Sequence, residues 1–584
     1  MSRNANSHFA VNPTNIDIQR SRFSRPHSLK TTFNAGDIIP IYVDTDVLPG
    51  DTYKMKTSKV VRMPTLLTPM MDNVYLDTYF FFVPHRLVWN HWKEFMGENT
   101  ESAWIQQTEY TIPQITPPTG GWNVGTLADY MGVPTGIDGF SMSALPFRAY
   151  ALVMNEWFRV TALTDPLVVP KDDTNVTGSN GNNYITDTAL GGAPFKARKY
   201  MDYFTAALPS PQRGPDIEIP VGSIEPLPVF VDSQNFVPPS VQRVGSDGAG
   251  LYFARMKYGD ADNYYTTANN RFIGVNASSS TADVVSDTGS ASTFWAGTGT
   301  DSSARGRVVP TNLWADGSAM NAAAATINQL RMAFQVQRYY ERLARGGDRY
   351  IEMIKSFFNV TSPDARLQRP EYLGGNRIPI NINQVIQQSS TDATSPQGNT
   401  AAYSLTTDTH FDFTHSFTEH GTILGVMVAR YDHTYQQGLE RQFSRKTRFD
   451  YYFPVFAHLG EQEIRNKEIY LQSDAVLGDT GEPENDEVFG YQERWAEYRY
   501  RPSQVTGQMR SSYAQSLDSW HLADDYSELP RLSDEWIRED SSNIDRVIAV
   551  SQDNAHQFFC DIFFNEVTTR PMPLYSVPGL IDHY

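Results

Sequence analysis

The sequence predicts a mainly β fold with large loop insertions and a few helices. Three observations lead there. Gly (39) and Pro (35) punctuate the 584 residues at short intervals, strand-length apolar runs recur towards both ends, and only a few stretches carry helical spacing. With 40% hydrophobic and 12% aromatic residues, including 31 Tyr and 32 Phe, the chain can fill a large core and still present Tyr-rich contact surfaces. The length exceeds that of a usual domain, but a β-sandwich with long inserted loops can carry it around one principal core.

Residues 1–30 read as a basic arm, with Arg3, Arg20, Arg22, Arg25 and Lys30 against the single acid Asp17. The whole chain has 48 Lys and Arg against 66 Asp and Glu, a net charge of −18, the wrong sign for a general nucleic-acid binder. A basic arm ahead of an acidic body suits a protein with one side on phosphate and the other in water. Arg20, Arg22, Arg25 and Lys30 are the candidate nucleic-acid contacts.

Residues 31–220 are expected to form the first part of the body. Residues 30–49 (KTTFNAGDIIPIYVDTDVLP) read as a β segment, and 71–89 (MDNVYLDTYFFFVPHRLVW) holds a strand buried on both faces. In 145–160, Leu145, Ala149, Leu152, Val153, Trp157 and Val160 stand near helical spacing and predict one amphipathic helix with its stripe in the core. Gly, Ser, Thr, Asn and Asp dominate 174–192 and again 221–317. The second stretch is too long for a structureless loop and reads as a surface insertion with strands of its own, a candidate protrusion.

Residues 318–584 return to the body. Residues 321–345 (NAAAATINQLRMAFQVQRYYERLAR) predict a helix capped by Asn321 and stopped at Gly346 and Gly347; Asp348 is placed to cap a second, with Ile351, Ile354, Phe357 and Phe358 on one face. Strands resume at 410–417, where Phe411, Phe413, His415 and Phe417 alternate with polar residues, at the apolar run 421–429, and at 558–567. The tail RPMPLYSVPGLIDHY holds Pro571, Pro573 and Pro578, and so is expected to be extended and to lie in a groove.

Signatures of chemistry are missing from the sequence. There is no phosphate-cradling glycine loop, no G-x-S-x-G and no H-E-x-x-H. His410, His415 and His420 would fall on opposite faces of a straight strand and span about 33 Å, too far for one ion. The carboxylate pairs Asp44 with Asp46 and Glu461 with Glu463, and the cluster Glu482, Glu484, Asp486 and Glu487, read as solvated groups. Cys560, the single cysteine, lies in the apolar run FFCDIFF and is expected to be a buried small side chain. No run is long enough to span a membrane, and the amino terminus lacks a signal-peptide core.

Several long segments resemble, in order, the major capsid proteins of the gokushovirus branch of the microviruses. They include KTTFNAGDIIPIYVD (30–44), MDNVYLDTYFFFVPHRLVW (71–89), LPFRAYALVMNEWFR (145–159) and RYIEMIKSFFNVTSPDARLQRPEYLGG (349–375). Further on stand TYQQGLERQFSR (434–445), FGYQERWAEYRYRPS (489–503), SLDSWHLA (516–523) and the terminal RPMPLYSVPGLIDHY. The resemblance implies an eight-stranded antiparallel jelly roll of the viral capsid type, assembled into a small icosahedral shell around circular single-stranded DNA. It implies a virion component assembled in the host bacterial cytoplasm, without cofactor or membrane insertion. Expected partners are further copies of the chain, packaged single-stranded DNA, virion proteins such as a small DNA-binding protein and a pilot protein, and a host cell-surface receptor met by the 221–317 insertion. ALPSPQRG (207–214) departs from the family pattern at Ser210, where an aromatic is expected. The alternative is a carbohydrate-active β-sandwich enzyme or lectin, supported only by the 10 Trp and the acidic loops.

Overall fold

A computed structural model describes residues 19–99, 108–215, 217, 327–389, 397–398, 400–478, 480–550 and 555–575, with six short strands between 229 and 315. The chain divides into two compact units, one of residues 1–214 with 339–584 and one of residues 215–338. Nine strands build the first unit's centre: β1 (Ser21–Ser24), β2 (His27–Phe33), β3 (Ile39–Val47), β4 (Thr52–Arg62), β5 (Val74–Pro84), β6 (Glu371–Pro379), β7 (Thr406–Ser416), β8 (Gly421–Tyr431) and β9 (Phe558–Arg570).

Two antiparallel sheets result. In the first, β1 and β2 both pair with β9, followed by β4 and β7; in the second the order is β6, β5, β8, β3. Pro26, which has no amide hydrogen to donate, stands where β1 and β2 are interrupted. The segment 30–49, expected as one β stretch, is two strands in different sheets. Between them Gly36, at φ +82°, lets the Glu539 carbonyl approach to where a Cβ would stand 2.8 Å from its oxygen.

Strict alternation turns one face of the first sheet inward. Tyr53, Met55 and Val61 of β4 and Phe558, Cys560, Ile562 and Phe564 of β9 meet Ile39, Leu76, Phe80, Phe82, Ile423 and Met427 of the second sheet in one core. The second sheet is also covered on its other side. There Phe81, Val83, Leu424, Val426 and Val428 pack against helix α1 (Leu145–Val153), Trp89 and Trp122. Double coverage explains why β5 and β8 read as nearly unbroken apolar runs.

Helix α1 is buried almost all round rather than along one stripe, and passes into a single π turn at Met154–Phe158. Its Arg148 sits between core residues because the guanidinium donates to the carbonyls of Asp172 (2.9 Å) and Val88 (3.4 Å). Strand β7 is not straight either. A bulge between Phe411 and Phe413 turns Phe411 outward and places His410 opposite Thr57 and His415 opposite Tyr53, both on the inner side. The described residues contain no group of three or more ligands placed to hold a metal ion.

Helix α2 (Ile327–Gly346) ends at the expected glycines, with Gly347 at φ +93°; Asn321 lies outside the described residues. Helix α3 (Tyr350–Phe358) is capped at Arg349, whose amide donates to Glu352 Oε2 at 3.0 Å, and not by Asp348, whose carboxylate pairs with Arg213. Ile351, Ile354 and Phe357 of α3 are half-buried, whereas Phe358 is exposed. In the second unit, Val229–Val231 pairs with Leu313–Ala315, Phe253–Met256 with Arg307–Pro310, and Gly274–Asn276 with Asp283–Val285. No helix among the described residues is long and apolar enough to cross a membrane.

Cys560 is buried in the core, and burial pushes its thiol up to about 12. It should therefore resist thiol reagents at pH 8 in the native protein and react at once in denaturant; fast native labelling would contradict its place in β9.

Candidate nucleic-acid interface

The four basic residues singled out in the sequence lie along one edge of the first sheet. Arg20 and Arg22 are exposed, Arg22 opposite Thr569 of β9. Lys30 of β2 is exposed and stands opposite Asp561, with 3.4 Å between Nζ and Oδ2. Both partners of that pair are well hydrated, so it contributes little.

Arg25 is different. Its Nε donates to Glu566 Oε1 at 2.7 Å, and its terminal nitrogen reaches Asp44 Oδ2 at 2.5 Å and also Glu566. Tyr53 donates to Asp44 at 2.9 Å and Tyr42 to Glu566 at 2.9 Å, while Arg570 faces Asp51 at 3.2 Å. Burial alone would lower the Arg25 pKa, but the two carboxylates outweigh it and hold the cation firmly; Arg25 in turn draws Asp44 below the usual carboxylate range against its own burial. The Asp44 and Asp46 pair thus resolves into one structural carboxylate and one surface residue whose amide donates to it at 3.0 Å.

Other charged groups are similarly engaged within the chain. Asp77 of β5 accepts from Arg377 Nε at 2.7 Å and Tyr200 at 2.9 Å and pairs with Arg430. In the acidic cluster, Asp486 takes Lys467 at 2.6 Å and Arg465 at 2.9 Å. Glu461 is held by Arg345.

The residues that sequence reading missed lie on β4. TYKMKTSKVVR alternates buried Tyr53, Met55 and Val61 with exposed Lys54, Lys56, Val60 and Arg62. The period of two was legible, but the sign of the outward face emerges only when β2, β4 and β9 are set side by side.

The body is thus a β-rich structural scaffold whose first sheet carries a basic outer face. Residues 12–580 match the family described as "Capsid protein (F protein)". The chain is 41% identical over 568 residues to "Capsid protein VP1" of Spiroplasma virus 4, covering 96% of each chain. It is 42% identical over 591 positions to "Capsid protein VP1" of Chlamydia phage 1, covering 98% of this chain and 97% of the relative. The protein of the same name from Bdellovibrio phage phiMH2K is 39% identical over 588 positions, covering 100% and 99%. The chain therefore belongs to the F-type phage capsid protein family: it is a structural protein of the virion and not an enzyme, and the carbohydrate-active alternative has no support.

Proposed function

We propose that copies of this chain build a small icosahedral shell around a circular single-stranded DNA genome, assembled in the cytoplasm of a bacterial host. Membership of the capsid family over nearly the whole length is the observation that carries it.

The strand order favours an eight-stranded jelly roll. If β1 and β2 count as one interrupted strand, the eight in chain order occupy positions one, eight, three and six in the first sheet and two, seven, four and five in the second. Two four-stranded sheets with this interleaving are the arrangement of two nested Greek keys. The long connections then fall between β5 and β6 and between β8 and β9, where a shell protein can vary its surface without disturbing the sheets.

Within this reading residues 1–30 meet the genome, 221–317 form a protrusion that meets a host receptor, and a small DNA-binding protein and a pilot protein complete the virion. Removing residues 1–30 would also remove β1, Arg25 and the first four of the seven residues of β2, so the genome contact is better tested at Arg20 and Arg22. Particles carrying Arg20→Gln with Arg22→Gln should hold DNA less firmly, and the salt dependence of DNA binding should flatten by roughly 0.7 per residue in log–log slope. Unchanged DNA retention and slope would remove these two residues from the interface. Particles with 221–317 shortened should assemble but adsorb poorly, and normal adsorption would refute the receptor role.

A further inference from the structure

We infer that the outward face of the first sheet is a platform for unpaired DNA, with phosphates held by lysine and arginine and bases resting on phenylalanine. The inference rests on the proposed role in enclosing single-stranded DNA and adds a site to it. Strand register places the residues. Across β2, β9 and β4 run the rows Thr32, Phe559, Arg62; then Lys30, Asp561, Val60; then Ser28, Phe563, Ser58. Asn565 next stands beside Lys56 and then Phe411 of the bulged β7, and Val567 beside Lys54 and then Thr414. Residues directly opposite one another share a face, so all of these look outward.

Two properties set this face apart from the rest of an acidic chain. Arg22, Lys30, Lys54, Lys56 and Arg62 stand against Asp561 as the one acid in these rows, so the face is basic where the protein as a whole is −18. Among the charges lie three large aromatics where alternation calls for polar side chains: Phe559, Phe563 and Phe411 are 37%, 45% and 46% exposed. Lys54 Nζ lies 5.5 Å from the Phe411 ring centre, so that ring keeps a cation beside it.

A positive surface interleaved with open rings is what a single strand needs: backbone neutralisation from the cations, and sequence-tolerant stacking on any base from the rings. Lys54 and Lys56 repeat along β4 at about 6.8 Å, and Phe559 and Phe563 lie about 13 Å apart along β9, so several nucleotides can engage together. Paired bases in a duplex hide their faces and would meet only the cations. Charge complementarity and continuity with Arg22 and Lys30 favour DNA as the occupant. At the Phe559 end the face borders a groove of about 870 Å³ whose lining includes Lys30, Arg62, His556 and Tyr130 together with the carboxylates Asp129 and Asp561, roomy enough for a nucleotide-sized group.

The test uses the full-length chain, an oligo-dT strand and a duplex of equal length, with affinity measured over a range of salt. The expected result is a preference for the single strand. Phe559→Ser with Phe563→Ser should lose about ten-fold or more in affinity with the salt slope unchanged. Lys54→Gln with Lys56→Gln should flatten the slope by roughly 1.4. These side chains are exposed, so thermal melting should confirm that the variants fold. If both pairs bind as the parent does while Arg20→Gln with Arg22→Gln binds less, the platform is refuted and the genome contact at the arm stands. If no variant differs and the parent ignores single strands, the genome-contact reading fails with it. If the Phe pair binds DNA normally but no longer forms particles, the face belongs to a second copy of the chain and the inference is overturned.

Discussion

Replacing His433 by alanine is expected to destabilise the protein by about 3–5 kcal/mol, the usual cost of removing one partner from a buried ionic cluster. His433 follows β8 and is buried. Its Nδ1 lies 3.0 Å from Asp524 Oδ1 and its Nε2 lies 2.9 Å from Glu539 Oε1. Lys199 stands 3.6 Å from Asp524, Tyr526 donates to Asp524 at 2.8 Å, and the Tyr431 ring lies 4.6 Å from the imidazole. Burial favours the neutral ring, but the two carboxylates prevail and raise the pKa from 6.5 to about 10. Because the folded value is the higher, this stabilisation is complete below about pH 6.5 and fades as pH rises through about 10. Asp524 acts in the opposite sense: its burial is outweighed by His433 and Lys199, its pKa is depressed, and its share is lost in acid. Denaturant titrations from pH 6 to 10 should show a decline in stability that His433→Ala abolishes; parallel curves for parent and variant would contradict a charged imidazole.

Shell formation should fail altogether in a Phe443→Ser, Val455→Asp variant that still folds. The 443–456 segment leaves Phe443 and Val455 71% and 87% exposed, with Phe449, Tyr451 and Phe453 also open to solvent. A clustered apolar surface of this kind marks a contact with another molecule, and in a capsid protein the nearest candidate is the neighbouring subunit. Each contact recurs at every equivalent position of a closed shell, so a modest loss per subunit multiplies across the particle. Sedimentation should find the variant as small species with an unchanged thermal midpoint. Particles of normal size and yield would place the subunit contacts elsewhere.

Local pattern made the strands legible and left their partners hidden. The unbroken run of β8 and the alternation of β9 follow from burial on two faces and on one, and both are visible in the residues themselves. The break between β2 and β3 was missed because Phe33 and Ile39 face the same core from different sheets, so the apolar pattern continues across the turn. The β7 bulge defeated period-two reasoning, which takes every strand as straight. Arg25 looked like a surface cation because its partners, Asp44 and Glu566, lie 19 and 541 residues away. The basic outer face was hidden for the same reason, since its charges come from strands distant in sequence.

Cryo-electron microscopy of particles formed by the full-length chain tests the account most directly. The expected result is a closed icosahedral shell in which each subunit's density fits the two-sheet body. Only unassembled chains under every condition, or shells whose density cannot hold the two sheets, would contradict it.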